Sequence, residues 1–328
     1  MAHANVGGGL GLDLETLIDR YKVNILQLIF GTFIATIAFF GGLMTFVERY
    51  LPNGIRQAFR YGKHSFKGEL DPLIAHLEVP KSWFRHFYIF AVVWSWLAFY
   101  IITSTIQSGK EAPEYVMRFL DFVAGGRSHR KVETDSTTAL VGTIMLTLQC
   151  TRRFYETNFV QIFSKQSKIN LSHYAVGYAH YFGTVIALMS NTAGFVRGSQ
   201  PIEFTIDNLT GQQILYLIVF GLAWQQQYSS NMILVNLRTD PRTGRVKTEK
   251  HLVPKGGLFN VISSPHMSLE IVMYFCIADL FMPVRIWRLI FLWVASNQTI
   301  NALLTHRWYQ ETFRDYPKNR RAIIPFLL

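Results

Sequence analysis

HLVPKGGLFNVISSPHMSLEIVMYF (residues 251–275) and NALLTHRWYQETFRDYPKNRRAIIPFLL (residues 301–328) enclose the last apolar runs of the chain. Glu270, Asn297, Asn301 and His306 lie inside or beside sequence apolar enough to sit in a bilayer. Ionisable and amide groups are expensive there, so each is a candidate functional residue. Asn297, Asn301, Thr305 and Tyr309 step by four and mark one polar stripe down an apolar helix, facing either a cavity or another helix. His266 and Glu270, also four apart, share a helix face behind the turn Gly256-Gly257 and the sequence Ser263-Ser264-Pro265. Ser264 or Ser263 is expected to cap a helix that starts near Pro265. No third ligand is placed by the spacing, so a hydrogen-bonding pair is the better reading than a zinc site.

Outward from this region the rest reads as a helical frame. Half of the residues are hydrophobic and only 16% are charged, and the apolar residues form long blocks rather than amphipathic stripes. A bilayer-spanning helix needs about 20 apolar residues. Seven runs meet or approach that: Val23–Phe46, Phe87–Ile106, Thr138–Cys150 with its continuation, Tyr174–Met189, Ile214–Asn236, Met267–Met282 and Ile286–Leu304. The expected fold is therefore an all-α, polytopic membrane protein with seven transmembrane helices. Residues 1–22 read as a polar tail with a glycine run at Gly7–Gly9, and residues 23–328 as one membrane domain.

Lysine and arginine bias sets the orientation. With the C-terminus in the cytosol, the cytosolic segments hold a little over twice as many basic residues as the opposite side. The net charge of +11 is thus read as interfacial Lys and Arg, not as a nucleic-acid surface. Asn208-Leu209-Thr210, a glycosylation sequon, then falls on the far side. Cys150 and Cys276 both sit in apolar runs and read as buried small hydrophobes.

Two further constellations could carry chemistry. Arg152 and Arg153 end an apolar run, with Glu156 three residues on from Arg153. They are either a positive-inside anchor or an arginine aimed at a cofactor phosphate. In QQQYSSNMILVNLR (Gln225–Arg238), three glutamines, two serines and Asn231 need partners inside a bilayer. They either bond between helices or line a polar ligand cavity, and Arg238 closes the run. No Walker loop, Rossmann fingerprint, serine-nucleophile elbow or zinc-protease motif is present. A polar, basic-rimmed cavity open to the cytosol fits an enzyme that joins a phosphorylated cofactor to a lipid. It also fits a transporter, a receptor or a non-catalytic lipid-binding protein.

The ending YPKNRR (Tyr316–Arg321) followed by the apolar tail resembles the steroid 5α-reductase family. FRYGK (Phe59–Lys63), VPKSWFRHFYI (Val79–Ile89), RRFYETNFVQIFS (Arg152–Ser164) and ILVNLR (Ile233–Arg238) resemble its polyprenol reductase branch, in matching order. The resemblance implies seven helices in the endoplasmic reticulum membrane, NADPH held from the cytosolic side by residues 251–328 and their neighbours, and a polyprenyl lipid as substrate. It puts Arg153, Asn231, Arg238, Asn297 and Tyr309 around NADPH and His266 and Glu270 near the nicotinamide. His306 and Tyr309 become the catalytic candidates, polarising the substrate oxygen or supplying a proton. Steroid 4-dehydrogenase and enoyl-CoA reductase are the alternatives within the fold. Two departures count against a steroid. Cys150 stands where steroid reductases have a tyrosine, and Ile55–Lys63 lacks their glutamate.

Overall fold

Each of the seven apolar runs is a helix in the computed structural model, which describes residues 14–60, 68–164, 166–240 and 242–328. The Gly7–Gly9 run, Tyr61 to Lys63 of the FRYGK motif and Lys165 lie outside the described residues. The first run is α2 (Ile25–Thr36), one π-helical turn (Ile37–Gly41) and α3 (Gly42–Phe46). The others are α6 (Phe84–Ser108), α8 (Ser136–Tyr155), α9 (Leu171–Ala187), α10 (Gly211–Asn236), α11 (Pro265–Leu280) and α12 (Arg285–Thr312). Shorter helices fill the connections: α1 (Leu14–Tyr21), α4 (Asn53–Phe59), α5 (Pro72–His76) and α7 (Glu114–Val123). Among the described residues the only sheet is one antiparallel pair, β1 (Glu78–Pro80) against β2 (Lys168–Asn170), with Glu78 opposite Asn170.

By length and hydropathy two segments qualify as membrane spans, Ile25–Phe46 and Lys81–Ser108. The other five runs do not meet that measure, for physical reasons. The helices α9 and α11 have only 17 and 16 residues, and α8, α10 and α12 carry arginines, glutamines and asparagines that lower their hydropathy. The outside of the bundle is apolar nonetheless. Val93 and Leu222 are about two-thirds exposed, and Leu28, Phe39, Trp96, Ile218 and Leu292 join them. Large apolar side chains exposed in this number suit lipid better than water.

The helix ends explain where each run starts. Asn24 accepts from Gln27 N–H at 2.9 Å to cap α2, and its amide nitrogen donates to Ala124 O at 2.9 Å. Asp135 caps α8, and Thr210 and Gln213 form a reciprocal capping box on α10. Ser264 does occupy the cap position of α11 with Pro265 behind it, but its hydroxyl makes no capping bond. The Ser263 hydroxyl is engaged with His306 instead. The expected polar tail is helical from Leu14, because Ile18 is buried and Asp19 accepts from Ser128 N–H and Oγ–H, both at 2.9 Å. Those two bonds hold the Asp19 carboxyl below its usual range.

Interhelix contacts gather the connections at two ends. At one end Ser164 meets Glu249, Lys81 N–H meets Ser167 O, and Arg307 donates to Thr45 O at 2.8 Å. At the other, buried Arg130 donates to Asp121 at 2.6 Å, and Arg197 forks onto Glu114 at 2.7 and 3.0 Å. The Arg197 fork holds Glu114 below the ordinary carboxylate range. Asp121 and Glu114 of the Gln107–Thr137 connection are thus paired with Arg130 and Arg197. Between the ends, Trp287, Phe281, Leu188 and Met145 fill the core.

Gly142 lets α8 approach this core closely. A Cβ there would stand 2.5 Å from Phe281, which is buried and stacked on Trp287 at 4.9 Å. Gly142→Ala should cost about 1–3 kcal/mol as overpacking. The measurement is thermal unfolding in detergent, and an unchanged midpoint would mean that Phe281 has room to yield.

Candidate active site

The seven long helices enclose a cavity of about 770 Å³. Seven of the eight residues singled out in the sequence line it: Arg153, Asn231, Arg238, His266, Glu270, Asn297 and Tyr309. The polar stripe of α12 does face a cavity, because Asn297, Asn301, Thr305 and Tyr309 are all on its wall. Asn301 donates to Asn297 O at 2.8 Å. From Trp293 to Tyr309 the wall runs about 24 Å along α12, at 1.5 Å per residue.

The cavity has two chemically different halves. Near the helix ends it is lined by Lys81 at the start of α6, Arg153 near the end of α8, Arg238 just past α10, His251 and Tyr309. Deeper, Phe33, Ile37, Phe87, Val176, Tyr181 and Trp293 form an apolar, aromatic half. Burial pushes Arg238 below its ordinary value. Its guanidinium donates to the His251 ring at 2.9 Å and, among the described residues, forms no ion pair with a carboxylate. A half-buried guanidinium without a carboxylate suits an anionic ligand, and its fork suits phosphate. The residues present thus fit a phosphorylated dinucleotide.

A polar network joins the two halves. Gln149 donates to Glu270 at 2.9 Å and to Gln227 at 3.1 Å. Gln227 donates to His266 O at 2.9 Å and also to Glu270. Of the three glutamines only Gln227 turns inward; Gln225 and Gln226 are exposed. Asn231 donates to Glu156 at 3.0 Å. Glu156, buried in the π turn that ends α8, pairs with Arg153, and Arg152 Nε lies 3.6 Å from it. Both readings of the arginine pair resolve inward. Arg152 is buried, donates to Gln149, Gln227 and Trp224 O, and stands 4.6 Å over the Trp224 ring, whereas Arg153 reaches the cavity.

His306 stands apart. One residue past Thr305 it is turned about 100° from the stripe and does not line the cavity. Its Nδ1 lies 2.6 Å from Ser263 Oγ, and its Nε2 is 2.9 Å from Gln310. Ser263 Oγ also lies 2.5 Å from Tyr316 Oη and donates to Arg321 O at 3.0 Å. Tyr316 stacks on Tyr309 with centroids 5.3 Å apart. His306 therefore fastens the C-terminal segment, which in turn backs a cavity residue. The placement puts His306 behind the cavity wall, one residue off the stripe that lines it.

Sequence reasoning passed over Lys81, Tyr88, His173, His180, Tyr181 and Tyr274, all on the cavity wall. A signal existed for two of them. Tyr274 is four residues beyond Glu270, and His180 is an ionisable residue inside an apolar run.

Comparison with known proteins agrees with this geometry. The family model for 3-oxo-5-alpha-steroid 4-dehydrogenase matches residues 165–328. The chain is 82% identical to the polyprenal reductase of Drosophila melanogaster, over 96% of this chain and 97% of that one. It is 32% identical to the polyprenal reductase of Caenorhabditis elegans over 82% of this chain and 85% of that one. The human polyprenal reductase is 29% identical, over 87% of this chain and 92% of that one. The fold and cavity are thus those of an oxidoreductase acting on a CH–CH group. The chain belongs to the 3-oxo-5-alpha-steroid 4-dehydrogenase family, in its polyprenal reductase branch.

Two outcomes follow. Removing one partner of a buried ion pair costs about 3–5 kcal/mol, so Glu156→Gln should lower the unfolding midpoint far more than Glu249→Gln at the surface. If NADPH is the anionic ligand, Arg238→Ala should weaken its binding roughly 10- to 100-fold, the worth of a hydrogen bond to a charged group, as read by quenching of tryptophan fluorescence. Wild-type affinity in the Arg238 variant would place the phosphates elsewhere.

Proposed function

We propose that the protein is an NADPH-dependent reductase of the α-isoprene double bond of a polyprenyl lipid, with polyprenal as the species reduced, on the route to dolichol for protein N-glycosylation. The observation that carries this reading is the two-part cavity, cationic toward the helix ends and aromatic in its depth, in a chain 82% identical to a polyprenal reductase. When bound, NADPH supplies a hydride. Arg153 and Arg238 would hold its phosphates, and Asn231, Asn297 and Tyr309 would hydrogen-bond its polar groups. His266 and Glu270 would flank the nicotinamide, and His306 would keep Tyr309 in place through Ser263 and Tyr316. The lipid head would reach the junction of the two halves, and its tail would leave sideways between helices.

The chemistry selects the aldehyde. Hydride adds to a carbon–carbon double bond only when the resulting charge is delocalised. An α,β-unsaturated carbonyl places that charge on oxygen, where hydrogen-bond donors stabilise it. An allylic alcohol offers no such acceptor.

The seven helices would span the endoplasmic reticulum membrane, with the Arg238, Lys247 and Arg307 end in the cytosol. The arrangement of the connections at two ends supports this, because the basic-rich segments share one end. Cys150 and Cys276 are buried, so single cysteines placed at exposed positions can report sidedness without background. In sealed microsomes Lys247→Cys should react with a membrane-impermeant maleimide, and Glu203→Cys should react only after permeabilisation. The opposite pattern would invert the topology.

The activity test offers purified protein NADPH with polyprenal, polyprenol, a 3-oxo-Δ4 steroid and an enoyl-CoA in parallel. Cofactor consumption with polyprenal alone is expected. Turnover of polyprenol with no aldehyde intermediate would overturn the mechanism, and turnover of the steroid would overturn the substrate.

A further inference from the structure

The resemblance to steroid reductases leaves a gap on α8. Where those enzymes present a tyrosine, this chain has Cys150, fully buried. A thiol is a weak donor, so the carbonyl oxygen of an enal needs another partner. The opposite wall offers one. Along α11, His266, Glu270 and Tyr274 are spaced by four and all line the cavity. Tyr274 is therefore one turn, about 6 Å, deeper than Glu270. It sits where the polar half gives way to Tyr181, Phe33 and Trp293.

The Tyr274 hydroxyl is already engaged. Its Oη lies 2.9 Å from His180 Nε2, on α9. The His180 ring is held edge-on by Phe30, 6.1 Å away, and by Tyr181, 4.9 Å away. His180 Nδ1 is buried and makes no hydrogen bond, so the protein commits only Nε2 of this imidazole, and commits it to Tyr274. With the proton on Nε2, His180 donates to Tyr274 Oη, and the tyrosine proton is left to point into the cavity. A second hydroxyl nearby, that of Tyr88, accepts from Arg153 at 3.3 and 3.4 Å and belongs to the cationic half.

We propose that Tyr274 is a catalytic residue that binds and polarises the carbonyl oxygen of the substrate, with His180 as the positioning residue that orients its hydroxyl. The proposal rests on the polyprenal reading above. Were hydride supplied to the β-carbon by bound NADPH, the C=C electron pair would move toward the carbonyl and negative charge would collect on oxygen. Tyr274 donates its proton to that oxygen, giving the enol. The α-carbon then takes a proton from water, and the enol proton returns to Tyr274. The sum is one hydride and one solvent proton added across the double bond.

Farnesal labelled with ¹³C at the aldehyde carbon tests this without turnover. Bound to the wild-type protein in detergent, with no cofactor, its carbonyl resonance should move downfield of its position in detergent alone. Tyr274→Phe keeps the ring and removes the donor, so its resonance should return to the detergent value, while Tyr115→Phe, on the exposed face of α7 away from the cavity, should keep the wild-type shift. NADPH affinity of Tyr274→Phe should stay at the wild-type value, and its kcat should fall roughly 10²- to 10³-fold, the usual loss of one oxyanion donor. His180→Gln should give an intermediate shift, and it carries the test if Tyr274→Phe does not fold. A wild-type shift retained in either variant would overturn the proposal. Failure of farnesal to bind the wild-type protein would instead overturn the substrate reading on which it rests.

Discussion

Charge enclosed by an apolar bundle is the constraint on which the rest of this structure depends. Arg152, Arg153, Glu156 and Glu270 come from α8, the turn that ends it, and α11, and all are withdrawn from water or turned toward the cavity. Desolvating such groups is costly unless each finds partners. The partners here are amides: Gln149 on α8, and Gln227 and Asn231 on α10. The requirement to satisfy these groups fixes how three helices face one another. The same requirement shapes the site, because the groups on the inner side of this network are the cavity wall.

The two halves of the cavity follow from where helices end. Cations and hydrogen-bond donors collect at the helix ends, where connections supply Lys81, Arg238 and His251. The middle of each helix can offer only what an apolar span tolerates, so the deep half is aromatic. On the proposed function, a phosphorylated ligand and an apolar one would thereby be sorted along the cavity. The meeting point, around Glu270 and Tyr274, is where their reactive ends would come together.

Much of this was legible in the sequence. Seven apolar runs became seven helices, and the i, i+4 spacing of Asn297, Asn301, Thr305 and Tyr309 predicted a stripe that does line a cavity. Spacing works there because a helix face is a local property. Helix phase also separates His306 from that stripe by about 100°, but only the fold shows what it meets, since Ser263 and Tyr316 are brought to it by the returning C-terminal segment. The spacing from Glu270 marks Tyr274 as a wall residue, but its pairing with His180 was not legible, because the two lie 94 residues apart. Counting spans by length and hydropathy finds two, because α9 and α11 are short and the polar residues that build the site lower the hydropathy of α8, α10 and α12.

The π-helical turn at Ile37–Gly41 has a consequence for the reading frame of the first span. One wide turn holds an extra residue, so the helix before it and the helix after it are out of phase by about 100°. Thr32, Phe33, Thr36 and Ile37 thereby look into the cavity, while Gly41 lies against Ile300 of α12 and Met44 is buried beyond it. Two surfaces that one regular helix would present on a single stripe are divided between a ligand and a neighbouring helix. A one-residue deletion between Ile37 and Gly41 would leave composition and hydropathy almost untouched, yet it would rotate one of the two surfaces out of use. Length in this stretch is therefore as much a part of the site as residue identity.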